Sequence, residues 1–265
     1  MSQPHRISTG NRILDALPED EFNRLQRGLE PVPFALKQTL HHAGAEIPFI
    51  YFPVRGIVSM VTMLHDGSAI EVATVGREGL IGLSALLGNA ISTHEVMVQG
   101  AGFGLRASAS VLQDEFHRSE AFRDIVLRFA EIFIEQISQT AACNGRHDLE
   151  ARCARWLLTM SDRLETDHFP LTQDFLAMLL GAQRTGINAV AVAFQRRGII
   201  RYNHGRITIL DRAKLEAAAC ECHRIIKNRI DGFLGPAPEN DPRQPTQAAS
   251  QEPSDPGQMP SYAAD

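Results

Sequence analysis

Residues 181–210 read GAQRTGINAVAVAFQRRGIIRYNHGRITIL. They follow LTQDFLAMLLG, which carries a clear helix signal. Thr172 is a good N-cap, Leu171 and Leu176 stand at the staple positions, and Gly181 suits the residue just past the end. A second helix begins near Gln183 or Arg184. Two helices joined by so short a glycine turn make a helix-turn-helix. At 100° per residue, Ile187, Val190, Ala191 and Phe194 share the face that must be buried. Thr185, Asn188, Ala189, Val192 and Arg196 share the other. Small side chains let a helix lie close to the floor of a DNA major groove. Ala189 and Val192 are placed to touch thymine methyls, and Thr185 and Asn188 to bond base edges. Arg184, near the helix N-terminus, can reach a phosphate or a guanine. GIIRYNHGRITIL then reads as strand, tight turn, strand. This wing sets Arg201, His204 and Arg206 beside the backbone of the same duplex. The plainer alternative is a small helical domain with solvated arginines.

The charge is uneven. The chain has 265 residues and a net charge of −5. Between residues 183 and 212, Arg184, Arg196, Arg197, Arg201, Arg206 and Arg212 face only Asp211. Beyond Pro236, Arg243 faces Glu239, Asp241, Glu252, Asp255 and Asp265, in a Pro- and Ser-rich composition unable to bury a core. Residues 236–265 are expected to be a disordered acidic tail.

Further upstream the texture is β. Residues 32–106 carry recurrent glycines between short runs such as FIYF, GIVSMVTML, AIEVATV and THEVMVQG. Strands of that length with such turns predict a β-sandwich or β-roll. Asp66-Gly67 reads as a hairpin turn. Glu71 alternates with apolar neighbours and is expected to face outward. Residues 12–30 predict one short amphipathic helix.

Residues 119–143 switch to helical period. Phe122, Val126, Phe129, Phe133, Gln136, Thr140 and Cys143 form one stripe. Leu127, Ala130, Ile134, Ile137 and Ala141 form a second. Two stripes need two covering surfaces, one the β-domain and the other the same helix of a second chain. The first stripe, Phe122 to Thr140, is expected to serve dimerisation. A single wide buried face within a monomer is the alternative. Asn144-Gly145 is expected to break the helix and act as a hinge.

These residues resemble the Crp/Fnr family of bacterial transcription regulators. The resemblance is carried by residues 171–216, by YFPVRGIVSMVTMLHDGSAIEVATVGREGLIGL, which is similar to the family's cyclic-nucleotide-binding β-roll, and by QTAACNGRHDLEARCARWLL at the junction. It implies an α+β chain: an N-terminal antiparallel, jelly-roll-like β-roll (12–118), a dimerisation helix and hinge (119–145), and a winged helix-turn-helix (146–225). It also implies a homodimer on a near-palindromic operator, with RNA polymerase as a further partner if the regulator activates. The effector pocket would fall at Gly82, Leu83, Ser84, Thr93 and His94. Members that bind cyclic AMP hold the ribose with a glutamate and the phosphate with an arginine. Here Leu83 and Thr93 stand in those places, and residues 84–105 contain no arginine or lysine. A buried phosphate without a cation is costly, so a signal other than cyclic AMP is expected. A cyclic-nucleotide sensor, and a β-roll with a protein-binding helical domain, are the rival readings. In the reading helix Thr185 and Ala189 replace two family base-contacting residues, which implies a different operator.

Other candidates are weaker. Cys143, Cys153, Cys220 and Cys222 are scattered, which fits a reducing compartment and gives no disulfide framework. Cys220-Glu221-Cys222-His223 invites a metal, but residues two apart on a helix diverge. His41-His42 reads as solvated, and Cys143 as a buried thiol with an oxidant-sensing alternative. No metal or cofactor is expected. There is no phosphate-cradling loop, nucleophile elbow or HExxH, so catalysis is not expected. Residues 1–12 lack the apolar run of a signal peptide, and no run of about 18 apolar residues occurs, so a cytoplasmic location off the membrane is expected.

Overall fold

The computed structural model describes residues 8–234, so the tail expected at 236–265 lies outside the described residues. Two helices, α1 (Arg12–Asp15) and α2 (Glu19–Gln26), replace the single one expected over residues 12–30. Pro18 is the reason: it cannot extend α1, but it fits the N-cap of α2. Asn11 caps α1 with its side-chain oxygen and donates its amide to the carbonyls of Pro53 and Gly79 at 2.8 and 2.9 Å. The N-terminal turn is thereby pinned to the β-roll.

The roll is built from β1 (Glu30–Phe34), β2 (Thr39–His41), β3 (Phe49–Met63), β4 (Ala69–Val75) and β5 (Glu95–Ser108), with a one-turn helix α3 (Leu83–Leu86) before β5. The sheet order is β1-β5-β3-β4, all antiparallel, with β2 also on β5. FIYF and GIVSMVTML form one 15-residue strand rather than two. Its register slips between Pro53 and Arg55, Arg55 and Ile57, and Ile57 and Val58. Such bulges bend a strand, which is how one of this length curls into a roll. The Asp66-Gly67 hairpin is present, with Asp66 Oδ1 accepting from the Ser68 amide at 2.9 Å.

Helix α4 (Ala109–Arg118) leads through Ser119, an N-cap, into α5 (Glu120–Arg146). Two expectations about α5 are corrected. Phe122, Val126, Phe129 and Phe133 lie in the β-roll core, and Gln136 and Thr140 are buried within the same chain. Gln136 donates to the Thr74 carbonyl at 2.9 Å. This stripe holds the large aromatics, each worth about 1.5–3 kcal/mol when buried, and so it takes the ready-made concave surface of the roll. Leu127 and Ile134, on the second stripe, remain 46 % and 62 % exposed. Nor does the helix break at Asn144-Gly145, through which it runs unbroken. A helical glycine costs only about 1 kcal/mol. The bend falls at His147, an extended C-cap, and at Asp148, whose side chain caps α6 (Leu149–Leu164) by accepting from the Ala151 amide.

The C-terminal part continues with β6 (His168–Pro170), α7 (Gln173–Leu179), α8 (Arg184–Arg196), β7 (Ile200–Asn203), β8 (Arg206–Ile209), α9 (Arg212–Ala218) and α10 (Cys222–Leu234). Trp156, Leu157, Phe169, Leu176, Ile187, Phe194, Ile207 and Leu215 make its core. Strand β6, not foreseen, pairs with β8 and widens the wing to three strands.

Helix α6 also packs on the roll. Glu71 does not face outward. It is buried and accepts from Ser59 Oγ at 2.7 Å, Gln99 Nε2 at 2.9 Å and Trp156 Nε1 at 3.1 Å. Nearby, Arg163 pairs with Glu78 at 2.6 Å, both nearly buried, and bonds Thr74 Oγ1. Alternation misled because the sheet face carrying Glu71 is covered by α6.

Candidate nucleic-acid interface

Thr172 caps α7 by accepting from the Phe175 amide, and Leu171 and Leu176 are buried on either side. Gly181, at φ +55°, turns the chain, and α7 and α8 meet at 113°. That lies within the range for helix-turn-helix pairs. Helix α8 buries Ile187, Val190, Ala191 and Phe194, the face drawn by the 100° projection. Gln183, Arg184, Thr185, Asn188, Ala189 and Arg196 are exposed and Val192 is half-buried. Gln183 makes no side-chain cap bond, so no side chain of its own N-cap closes the first turn of α8.

Two contacts hold this surface in order. Gln173 Nε2 donates to Asn188 Oδ1 at 3.2 Å, which orients Asn188 from the neighbouring helix. Arg184 lies 3.3 Å from Asp174, with both side chains about two-thirds exposed. A pair so exposed is worth little and yields readily to a phosphate. A Cβ at Gly186 would come within 2.9 Å of Leu149 Cδ2, so α8 lies close to the start of α6 at this point.

The wing turn is His204-Gly205, at φ +47° and +71°. Two positive φ values in succession are the signature of a type I′ hairpin. Thr172, Arg201, His204 and Arg206 are exposed. Arg206 Nε donates to His168 Nε2 at 3.1 Å, and His168 Nδ1 meets Thr208 Oγ1 at 2.8 Å. His168 therefore joins the basic edge through β6, a residue that only the unforeseen strand could reveal. Two arginines of the basic island are otherwise engaged. Arg212 pairs with Asp162 and Glu216, and Arg197 with Glu150.

The residues expected to line an effector pocket are less suited to an anion. Gly82 sits at φ +95° against His41, Ile47 and Ile50, and Leu83 packs on the roll's core. Thr93 is exposed and bonds His94 Nδ1 at 2.8 Å, and Ser84 is half-buried. Burial lowers the pKa of His94, which disfavours its charged form. His41 is a core residue rather than a solvated one: it is buried, with Nε2 2.9 Å from the Phe49 carbonyl. His42 is exposed, 3.0 Å from Glu95.

The cysteines are not scattered in space. Cys143, Cys220, Cys222 and His147 bring three sulfurs and a ring nitrogen within 4.8 Å of one another. The divergence expected of Cys220 and Cys222 does not arise, because α9 ends at Ala218 and α10 begins at Cys222, leaving the pair on a bend. His223 turns away to Asp162 at 2.9 Å. Cys153 stands apart in the core, where burial pushes its thiol up to about 12.

Fold and surface together define a winged helix-turn-helix domain. A Crp-like helix-turn-helix domain model matches residues 151–218. The chain is 24 % identical over 230 residues to the nitrogen fixation regulation protein FixK of Bradyrhizobium diazoefficiens, covering 81 % of this chain and 91 % of that one. Its fold is shared with FixK2 from Bradyrhizobium japonicum, at a TM-score of 0.62 and 15 % identity over 72 % of this chain and 98 % of that one. It is shared as well with a CRP-family transcriptional regulator from Thermus thermophilus, at 0.60 and 23 % over 71 % and 96 %. Residues 151–218 thus match a Crp-like helix-turn-helix domain, and the chain shares its fold with solved structures of Crp/Fnr-type regulators. Among the described residues no single helix is long and apolar enough to cross a membrane.

Proposed function

We propose that this regulator works as a homodimer that reads a near-palindromic operator in response to a signal other than a cyclic nucleotide. The observation that carries the reading is the outer face of α8. From Gln183 to Arg196 it presents polar, small and basic side chains and no acid. Thr185 and Asn188 contact base edges, Ala189 and Val192 contact thymine methyls, and Arg184 with the first-turn amides takes a phosphate or a guanine. Gln183, Thr172 and Arg196 flank the groove, and Arg201, His204, Arg206 and His168 hold the adjoining backbone.

The dimer seam is the second stripe of α5. Its exposed members, Leu127, Ile134 and Ala141, recur every seven residues, the heptad spacing of a coiled-coil seam, while Ala130 is buried and Ile137 packs on the roll. A groove of about 360 Å³ between α5 and α10, lined by Ile134, Ser138, Ile225 and Arg229 among others, runs beside it. Two such protomers would set their α8 helices about 34 Å apart, one turn of DNA. A state of the β-roll reaches α8 through α6, which touches both. The protein acts in the cytoplasm and catalyses no reaction. In an activating role RNA polymerase is a partner.

The test is selection of bound genomic fragments by the purified protein, followed by affinity measurements across salt. A twofold-symmetric site, a steep loss of affinity with salt and a strong loss in Arg184→Ala are expected. Binding that ignores both salt and Arg184 would overturn the reading in favour of a protein-docking module.

A further inference from the structure

We propose that Cys143, His147, Cys220 and Cys222 bind one zinc(II) ion that ties the end of α5 to the start of α10. The four residues come from two places far apart in sequence. Cys143 and His147 stand one helical turn apart at the end of α5, so their side chains share a face. Cys220 and Cys222 stand on the bend between α9 and α10.

The spacing suits a single ion. Cys143 Sγ lies 3.5 Å from Cys220 Sγ, and Cys222 Sγ lies 3.6 Å from His147 Nδ1. A tetrahedral site with bonds of about 2.3 Å to sulfur has edges of about 3.8 Å. All four donor atoms fall within 4.8 Å of one another, so no room is left for bridging sulfides and a multi-iron cluster. A disulfide uses only two of the four donors. Three thiolates and an imidazole in tetrahedral array favour zinc among common divalent ions.

The surroundings are those of a metal site. His147 Nδ1 faces the sulfurs while Nε2 lies 3.4 Å from the Glu221 carboxylate, the outer partner that orients a ligating histidine. Gln139 Nε2 donates to Cys222 Sγ at 3.0 Å. Three thiolates around a divalent cation leave one net negative charge. Arg152 and Arg155 supply the compensation: their charges act on Cys143, and in both the buried Nε lacks a hydrogen-bond partner.

Four protein donors close the site, as in structural zinc. The span from Cys143 to Cys220 is 77 residues and contains α6 through α9, so the ion would close a loop around the winged helix. Metal content is measured on the free protein, so this proposal stands or falls apart from DNA binding.

The experiment uses the full chain, purified under reducing conditions with no histidine tag, reconstituted with zinc and dialysed. Elemental analysis should find one zinc per chain, released by a mercurial thiol reagent. Cys220→Ser and Cys222→Ser should each retain less than about a tenth of it, and Cys153→Ala all of it. His147→Cys should keep the ion, since a four-cysteine site binds zinc as well. Cobalt(II) in place of zinc should give thiolate-to-metal absorption in the wild-type chain, a readout that needs no variant. Reduced wild-type protein that retains no zinc and shows no such absorption on cobalt addition would overturn the proposal. So would undiminished zinc in Cys222→Ser, or a Cys143–Cys220 disulfide that persists under reductant.

Discussion

Trp156 Nε1 donates to Glu71 Oε1 at 3.1 Å, joining helix α6 of the DNA-binding part to strand β4 of the roll. Glu71 is buried, and its other oxygen already accepts from Ser59 and Gln99. Trp156→Phe removes a donor and leaves a buried oxygen unpaired, at a cost of about 1–3 kcal/mol. Urea melts should show that loss.

The same carboxylate makes stability depend on pH. Burial raises the Glu71 pKa, against the opposing pull of Ser59, Arg155, Trp156 and Arg163. The folded chain therefore holds this proton at pH values where the unfolded chain has released it. The contribution is fully present below the unfolded value, about 4.3, and is lost as pH rises through the raised folded value. Trp156 is the sole tryptophan, so its emission reports the titration directly. In Glu71→Gln the transition should vanish from both melts and emission.

Ile134 is 62 % exposed, so Ile134→Glu should cost the lone chain no more than about 0.5 kcal/mol. At a coiled-coil seam the same change places two like charges together. Light scattering should report monomers, with operator affinity falling in step. Phe129→Ala, on the stripe buried against the roll, should instead lower stability by about 3–5 kcal/mol.

Arg201→Ala and Arg206→Ala should each weaken DNA binding to a similar degree on all sequences and reduce the salt slope by about one. Asn188→Ala should behave differently. It should relax preference at one base pair by about 1–3 kcal/mol and leave the salt slope alone.

Calorimetry with cyclic AMP should show no binding heat. Leu83 packs on the core, His94 is held toward its neutral form, and residues 84–105 offer no permanent cation for the phosphate.

What the sequence disclosed is what depends on neighbours in the chain. The Thr172 cap, the Gly181 turn, the buried face of α8 and the His204-Gly205 wing turn follow from local preferences. So does the class of fold. What it withheld depends on distant partners. Two stripes of α5 were visible, but which one meets the roll depends on the roll's shape, and the choice fell the other way. Glu71 alternates as a surface residue does, and only the docking of α6 turns it inward. The cysteines of the cluster lie up to 79 residues apart, and nothing local announces that α9 and α10 bend to bring them together. Gly145 looked like a hinge because glycine often breaks helices, yet Asp148, by capping α6, moved the bend past it.

The close approach at Gly186 has a mechanical consequence. It sets α8 against Leu149, the first residue of α6, and only His147 and Asp148 separate α6 from the end of α5. There is almost no slack between α5 and α8. In the proposed dimer on DNA, a few degrees of twist along α5 would therefore pass to α8, much as a short stiff linkage passes motion that a long soft one absorbs.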